Sequence, residues 1–312
     1  MKIKNYTFGD RATMILKFSN IQIKKTASGA EYASLLGYDG EDNIEVKIWS
    51  LNDERKANLK NGEIYEASGN IKDYQGKMQL NISEFRRIED DEDIDREAFY
   101  EFASIDIEEL QNQISSYIEK IDNEVIKNIV VRLIKQNYKD YFMHPAAMSM
   151  HHNYYYGLAY HVYSMLKLSD ACLRLYSYLN RDLVYAGIII HDIGKLIELT
   201  GPKGIEYTKQ GNLLGHISIG SNMLFKVALE LGYEDTEEYL ALNHIVLAHH
   251  GQNDYGSPKE PLIAEAALIY LLDFTDSRLA SLEKEILSTE EGNYTNPIAT
   301  FDRKAFYVPK IK

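Results

Sequence analysis

Residues 185–199 read YAGIIIHDIGKLIEL, and no other stretch constrains the fold so strongly. Ile188, Ile189 and Ile190 run without a polar break into His191 and Asp192, and Lys195 follows one turn later. Ionisable groups on a buried surface are costly unless they are paired, hydrogen-bonded or bound to a metal. A fold that buries this run must bring compensating groups to it from other parts of the chain.

The other histidines are the natural source. All nine lie between residues 144 and 250. In order, the candidates are His161, His191 with Asp192, His216, His249 with His250, and Asp273, most on helix-like apolar segments. Imidazole and carboxylate suit ions such as Mn, Fe or Zn. Five histidines and two aspartates exceed one tetrahedral shell, but they match two divalent cations sharing a bridging carboxylate. Two ions about 3.5–4 Å apart can clamp both the attacking and the leaving oxygens of a phosphodiester. Asp192 is the natural bridge and His191 a terminal ligand, in a site built between facing helices. The alternative is a metal-free, hydrogen-bonded His191–Asp192 pair, and the four partner segments weigh against it.

Neighbouring residues extend this pattern. Lys195 is expected on the same helical face as His191 and Asp192. A cation beside metal ligands calls for an anion, and a phosphate oxygen would fit, with Lys195 stabilising transition-state charge. The alternative is a lysine that snorkels to solvent. Asp276 competes with Asp273 for the last ligand position, but Asp273 ends the apolar run AALIYLL and is preferred. His244 is rotated about 140° from His249 on an ideal helix and is expected in a supporting or core position. His144, before Pro145, reads as structural or surface. His151 and His152 precede an aromatic stretch and either line the substrate mouth or belong to a packed loop.

The chain divides in two. Residues 13–88 alternate as about five strands, with Ile44, Val46 and Ile48 on one face, a short helix near NDERKANLK and a DYQGK turn. This order suggests a small closed barrel of the OB-fold type. Residues 89–97 form an acidic segment, expected to be a solvated linker. From residue 98 to 312 the pattern is helical, with Leu110, Ile114, Ile118, Ile121, Val125 and Ile129 at three- and four-residue spacings. The expected fold class is thus multidomain α+β: a barrel over 1–88, then an all-α bundle over 98–312, ending in a tail that packs as a loop. In the barrel, Tyr38, Trp49 and Tyr74 are the candidates for stacking on bases.

Charge and composition narrow the partners. The net charge of −13 argues at first against nucleic acid, but residues 1–88 hold 14 Lys and Arg against 12 Asp and Glu. An acidic catalytic segment still binds phosphates when it holds cations. The single cysteine, Cys172, allows no internal disulfide and reads as a small buried hydrophobe, which fits a reducing cytoplasm. No apolar run approaches the roughly 20 residues of a membrane span, and MKIKNYTFGD has no apolar core of a secretory signal. Homo-oligomerisation is left open.

The H…HD…H…HH…D order resembles the HD-domain metal phosphohydrolase superfamily. The stretches NIEVKIW, YQGKMQL, HHNYYYGLAYHVYSM, AGIIIHDIGKLIEL, YTKQGNLLGHISIG, LAHHGQNDYGSPKEP and EAALIYLLDFTD are similar to the YhaM-type 3′–5′ exoribonucleases of Gram-positive bacteria. The resemblance implies an OB-fold that grips single-stranded RNA or DNA. It also implies an HD domain that removes nucleotides from the 3′ end, with manganese as the ion and iron or another transition metal as alternatives. One departure is YYYGLAYH, where the family has a paired glycine and an acidic residue before the histidine. Two other readings stand beside this one: an HD enzyme of small nucleotides or cyclic dinucleotides, which has no need of a barrel, and a non-catalytic single-strand binder, which has no need of the ligand set.

Overall fold

The computed structural model describes residues 1–89, 91–147, 154–202, 205–252 and 257–311. The chain forms two compact units, one built on Met1–Glu101 and the other on Phe102–Gly201 and Glu206–Lys312.

The first unit is a closed five-stranded barrel. Its strands are β1 (Arg11–Lys25), β2 (Glu31–Tyr38), β3 (Asn43–Ile48), β4 (Ile64–Tyr74) and β5 (Lys77–Arg87), with a short helix α1 (Asp53–Ala57) between β3 and β4. The order around the barrel is β1-β2-β3-β5-β4, closing on β1. The β3–β5 pair is parallel, and the other pairs are antiparallel. Alternation places Ala12, Met14, Leu16 and Phe18 of β1 inside, where Phe18 stacks on Tyr65 with ring centres 4.4 Å apart. The first part of β1, Arg11–Lys17, pairs with β4, and from Lys17 the strand pairs with β2, where a register shift between Ser19 and Gln22 interrupts the ladder. The Asn52 side chain caps α1 by accepting from the Arg55 amide.

The acidic segment after β5 is not a free linker. Ile88 and Phe99 are buried against Ile64, and Glu92 accepts two hydrogen bonds from the Arg86 guanidinium. The acidic run hides two apolar anchors at its ends, and these tie it to the barrel.

The second unit is helical. Its elements are α2 (Ile107–Glu119), α3 (Glu124–Gln136), α4 (Tyr138–Met143), α5 (Gly157–Leu175), α6 (Arg181–Ile190), α7 (Lys195–Glu198), α8 (Lys209–Leu231), α9 (Glu237–Ala248) and α10 (Ala264–Leu287). Helix α6 lies at the centre: every residue from Val184 to Ile190 is buried, as a helix apolar on all sides requires. It packs on α3, α5, α9 and α10. Its N-terminus is capped by Asn180, which accepts from the amides of Asp182 and Leu183. The tail after α10 is held by two isolated antiparallel bridges, Tyr294–Tyr307 and Ile298–Lys304. Cys172 is half-buried against the helical core. No helix among the described residues is long and apolar enough to cross a membrane.

Barrel closure depends on Gly69. It sits at the register shift between β4 and β5, and a Cβ there would overlap the Asn81 carbonyl and lie 2.9 Å from Ile82 Cα. Gly69→Ala should therefore destabilise the barrel by about 1–3 kcal/mol. Urea denaturation followed by fluorescence of the single tryptophan, Trp49, reads this unit directly. An unchanged midpoint would show that the strands can separate at no cost.

Candidate metal centre

Four helices, α5, α8, α9 and α10, bring side chains to the end of α6. The helix stops at Ile190, so His191 and Asp192 lie in a turn rather than within a helix continuing to Lys195. Gly194 makes the turn possible: a Cβ there would overlap the His216 carbonyl and lie 2.7 Å from the Gly220 amide nitrogen. The turn thus presses directly on α8. Helix α8 itself kinks at Gly215, whose φ of 71° and ψ of 155° suit glycine, and this aims His216 at the turn. His161 comes from α5, His249 and His250 from the end of α9, and Asp273 from α10.

Two groups of donor atoms result. His161, His191 and Asp273 form one, and His216, His249 and His250 the other; within each group the atoms lie within 4.8 Å of one another. Asp192 stands between them. Its Oδ2 is 3.3 Å from His191 Nε2 and 4.0 Å from His161 Nε2. Its Oδ1 is 3.5 Å from His216 Nε2 and 3.6 Å from His249 Nε2. One carboxylate therefore offers one oxygen to each group.

The rings are aimed by their far sides. His191 Nδ1 is 2.8 Å from the Ile188 carbonyl, and His249 Nδ1 is 2.8 Å from the Val246 carbonyl. A carbonyl only accepts, so each Nδ1 carries a proton and each ring turns its Nε2 inward. His216 Nδ1 lies 3.0 Å from Glu198 Oε1, which also accepts the His216 amide at 2.9 Å. His161 Nδ1 lies 2.6 Å from Asp276 Oδ2, and the Ser164 hydroxyl donates to the other oxygen of Asp276. Asp276 thus holds His161 from behind, while Asp273 faces the ring's other nitrogen at 3.2 Å.

The electrostatics favour a cation. Burial opposes every charge here, yet Lys195 and His191 hold the Asp192 carboxyl well below the ordinary carboxylate range. Asp273 is likewise lowered against burial, through His161. In turn Asp273 and Asp276 overcome burial and push His161 up to about 10. Glu198 is lowered against burial by His216, whereas His249 is lowered chiefly by burial. The Lys195 ammonium sits 2.7 Å from Asp192 Oδ2, and this pairing raises it despite burial. Nε2 of His191, His216 and His249 and Oδ1 of Asp192 are buried without a hydrogen-bond partner among the described residues. Such atoms are rare in folded proteins. As nitrogen and oxygen donors converging from fixed rings, they fit divalent transition metals.

The seven residues singled out from the sequence, His161, His191, Asp192, His216, His249, His250 and Asp273, are all gathered in this place. His244 is not among them: its Nε2 accepts the Leu262 amide at 2.9 Å. His144 is buried, with Nδ1 3.1 Å from the Pro145 carbonyl, and stands outside both groups. His151 and His152 lie outside the described residues. Glu198 was not visible in the sequence, where it reads as an ordinary acidic residue ending GKLIE.

On the barrel, Trp49 is 44% exposed, stacks on Tyr32 at 4.7 Å and donates through Nε1 to Asn81 at 2.6 Å. Lys47 lies 5.9 Å from the Tyr32 ring centre. Tyr32 thus completes an aromatic platform that Trp49 alone did not reveal. Tyr74 is exposed at the β4–β5 turn. Tyr38 is half-buried at the other end of β2 from Tyr32, beside Lys17 at 5.3 Å, so it does not share the platform.

A histidine–aspartate centre in a helical bundle, preceded by an OB-fold barrel, defines an HD-domain protein with a nucleic-acid-binding module. Family models agree: an HD domain matches residues 158–278, and an OB-fold nucleic acid binding domain matches residues 19–88. The chain is 36% identical over 312 residues to 3′–5′ exoribonuclease YhaM of Listeria welshimeri serovar 6b, covering 100% of this chain and 99% of that one. It matches the protein of the same name from Listeria monocytogenes serovar 1/2a to the same extent. The chain belongs to the YhaM family.

Asp276 and Glu198 stand behind the rings of His161 and His216 and fix their orientation. Asp276→Asn should lower Mn²⁺ affinity about 10–100-fold while the fold is retained. Calorimetric titration of Mn²⁺ into the metal-stripped variant measures this, and unchanged affinity would leave Asp276 with a packing role only.

Proposed function

We propose that the chain degrades single-stranded RNA from its 3′ end, hydrolysing the terminal phosphodiester with two divalent cations and releasing nucleoside 5′-monophosphates. As a member of the YhaM family it is a 3′–5′ exoribonuclease. The observation that carries the metal-dependent reading is Asp192, whose two oxygens face two separate groups of buried donors.

In this reading His161, His191 and Asp273 hold one ion, and His216, His249 and His250 hold the other. Asp192 spans both. Bound cations of this kind polarise a phosphoryl oxygen and make a nucleophile of water at neutral pH. Lys195 is positioned by Asp192 at the edge of the centre, where its ammonium can meet a phosphate oxygen and stabilise the charge that shifts during cleavage. Manganese is the ion proposed, with iron as the alternative. The donor set of imidazoles and carboxylates accommodates either.

The barrel supplies the grip. Stacked Tyr32 and Trp49, with Lys47 beside them, form the combination of aromatic face and cation that binds single strands without strong sequence preference. Single-stranded DNA is a second substrate in this reading, because stacking does not require ribose. The barrel also weighs against a small-nucleotide phosphohydrolase. A cytoplasmic location suits a chain with one cysteine that acts on RNA.

Incubation of a 5′-labelled single strand with the protein and Mn²⁺ should yield a ladder shortening from the 3′ end, with mononucleotides as the product. Asp192→Ala should abolish this hydrolysis and leave strand binding by fluorescence anisotropy within a few-fold of wild type. Retained turnover in the variant would remove Asp192 from the chemistry.

A further inference from the structure

A cavity of about 440 Å³ adjoins the metal centre and shares Lys195, His250 and Asp273 with it. The volume falls in the range of about 300–1,000 Å³ typical of small-ligand sites. Helix α10 supplies one wall, with Asp273, Phe274, Ser277 and Arg278 on one side of the helix, and the tail supplies another. Lys195 is already paired with Asp192. Arg278 is the cation on this wall that the metal centre does not employ.

Arg278 is half-buried, yet among the described residues its guanidinium makes no hydrogen bond and no ion pair. Asp302 also lines the cavity, but not within ion-pair distance of Arg278. Charged side chains are seldom withdrawn from water without a partner. Aromatic rings hold the cation instead: it lies 3.9 Å from the Phe274 ring centre and 5.5 Å from that of Phe301. Phe301 is fixed in turn by Phe306, with ring centres 4.9 Å apart, and by the Ile298–Lys304 bridge. The rings attract the charge and leave the fork of N–H donors for an acceptor. The Arg278 nitrogens are not sealed in the interior, and the cavity is the space they border. A planar fork of donors oriented by aromatic packing matches the oxygens of a phosphate.

Placement selects which phosphate. Arg278 follows Asp273 by five residues, about 7.5 Å along the helix axis. That displacement is comparable with the separation of successive phosphates in an extended single strand. The phosphate being cleaved belongs with the ions and Lys195, so the one that meets Arg278 is its neighbour. At a 3′ end the terminal nucleoside carries no further phosphate, and the neighbour lies on the 5′ side.

We propose that Arg278 grips the phosphate one nucleotide upstream of the scissile bond, and that the cavity lodges the penultimate nucleoside between them. This rests on the exonuclease reading of the neighbouring metal centre. The grip sets how far the 3′ end enters and so aligns the last linkage with the ions. It reads neither base nor sugar, as an enzyme that shortens strands of any sequence requires.

Removal of the first nucleotide from two 5′-labelled single strands, by the full chain with Mn²⁺ under single-turnover conditions at subsaturating enzyme, tests this directly. One strand is phosphodiester throughout. In the other, the second linkage from the 3′ end is an uncharged methylphosphonate, and both strands carry 2′-deoxyribose on its 5′ side for chemical stability. The scissile linkage is identical in the two. In wild type the neutral linkage should slow cleavage about tenfold or more, as loss of a charge-assisted hydrogen bond allows. Arg278→Met should slow the charged strand by a similar factor and bring the two strands within about twofold of each other. A merely structural role for Arg278 would slow both strands alike and leave the ratio in place. Equal cleavage of the two strands by wild type, or a ratio that survives in Arg278→Met, would overturn the proposal. Thermal melting confirms that the variant is folded, and the wild-type comparison stands without it. Failure of wild type to shorten either strand sinks the exonuclease reading, whereas shortening of both at one rate sinks only the role of Arg278.

Discussion

The Asp192 carboxylate is the interaction around which the helical unit is arranged. It is buried, it is held ionised, and its two oxygens serve two sets of imidazoles. A carboxylate in this position is unaffordable without positive charge beside it. Lys195 provides part of that charge, and the donor geometry accommodates more. Much of the surrounding architecture serves to place these groups: the stop of α6 at Ile190, the tight turn at Gly194 and the kink of α8 at Gly215.

Ring orientation is the second level of the same design. His191 and His249 are fixed by carbonyls of their own helices, three residues earlier in each case. His161 and His216 are held by carboxylates from other helices, Asp276 and Glu198. Local hydrogen bonds fix a ring as soon as its helix forms. Carboxylates brought from a distance fix it only when the bundle is assembled, so the site becomes complete with the fold.

This difference also explains how much was legible in the sequence. Strand alternation in Ile44, Val46 and Ile48, and helical spacing from Leu110 to Ile129, follow from local burial and could be read directly. The set of histidines and aspartates that gather at the end of α6 could be read because such residues at the ends of apolar runs are conspicuous. Asp276 could be singled out but not placed behind His161, because spacing alone does not say which of two carboxylates one turn apart faces the ring's far side. Glu198 could not be singled out at all, because a supporting carboxylate there looks like any solvent-facing one. The end of α6 was missed because the close approach of Gly194 to α8 is a tertiary constraint. Residues 89–97 misled through composition: their charge outweighs the flanking Ile88 and Phe99, which do the packing. Tyr32 was likewise hidden, since only the β2–β3 register brings it beside Trp49.

The central claim is that one carboxylate bridges two cations. Crystals of the protein grown with Mn²⁺, measured at the manganese absorption edge, test it most directly. The account predicts two anomalous peaks per chain, one against His161, His191 and Asp273 and one against His216, His249 and His250, with one Asp192 oxygen on each. A single peak, or two peaks with Asp192 bound to neither or to only one, would contradict it.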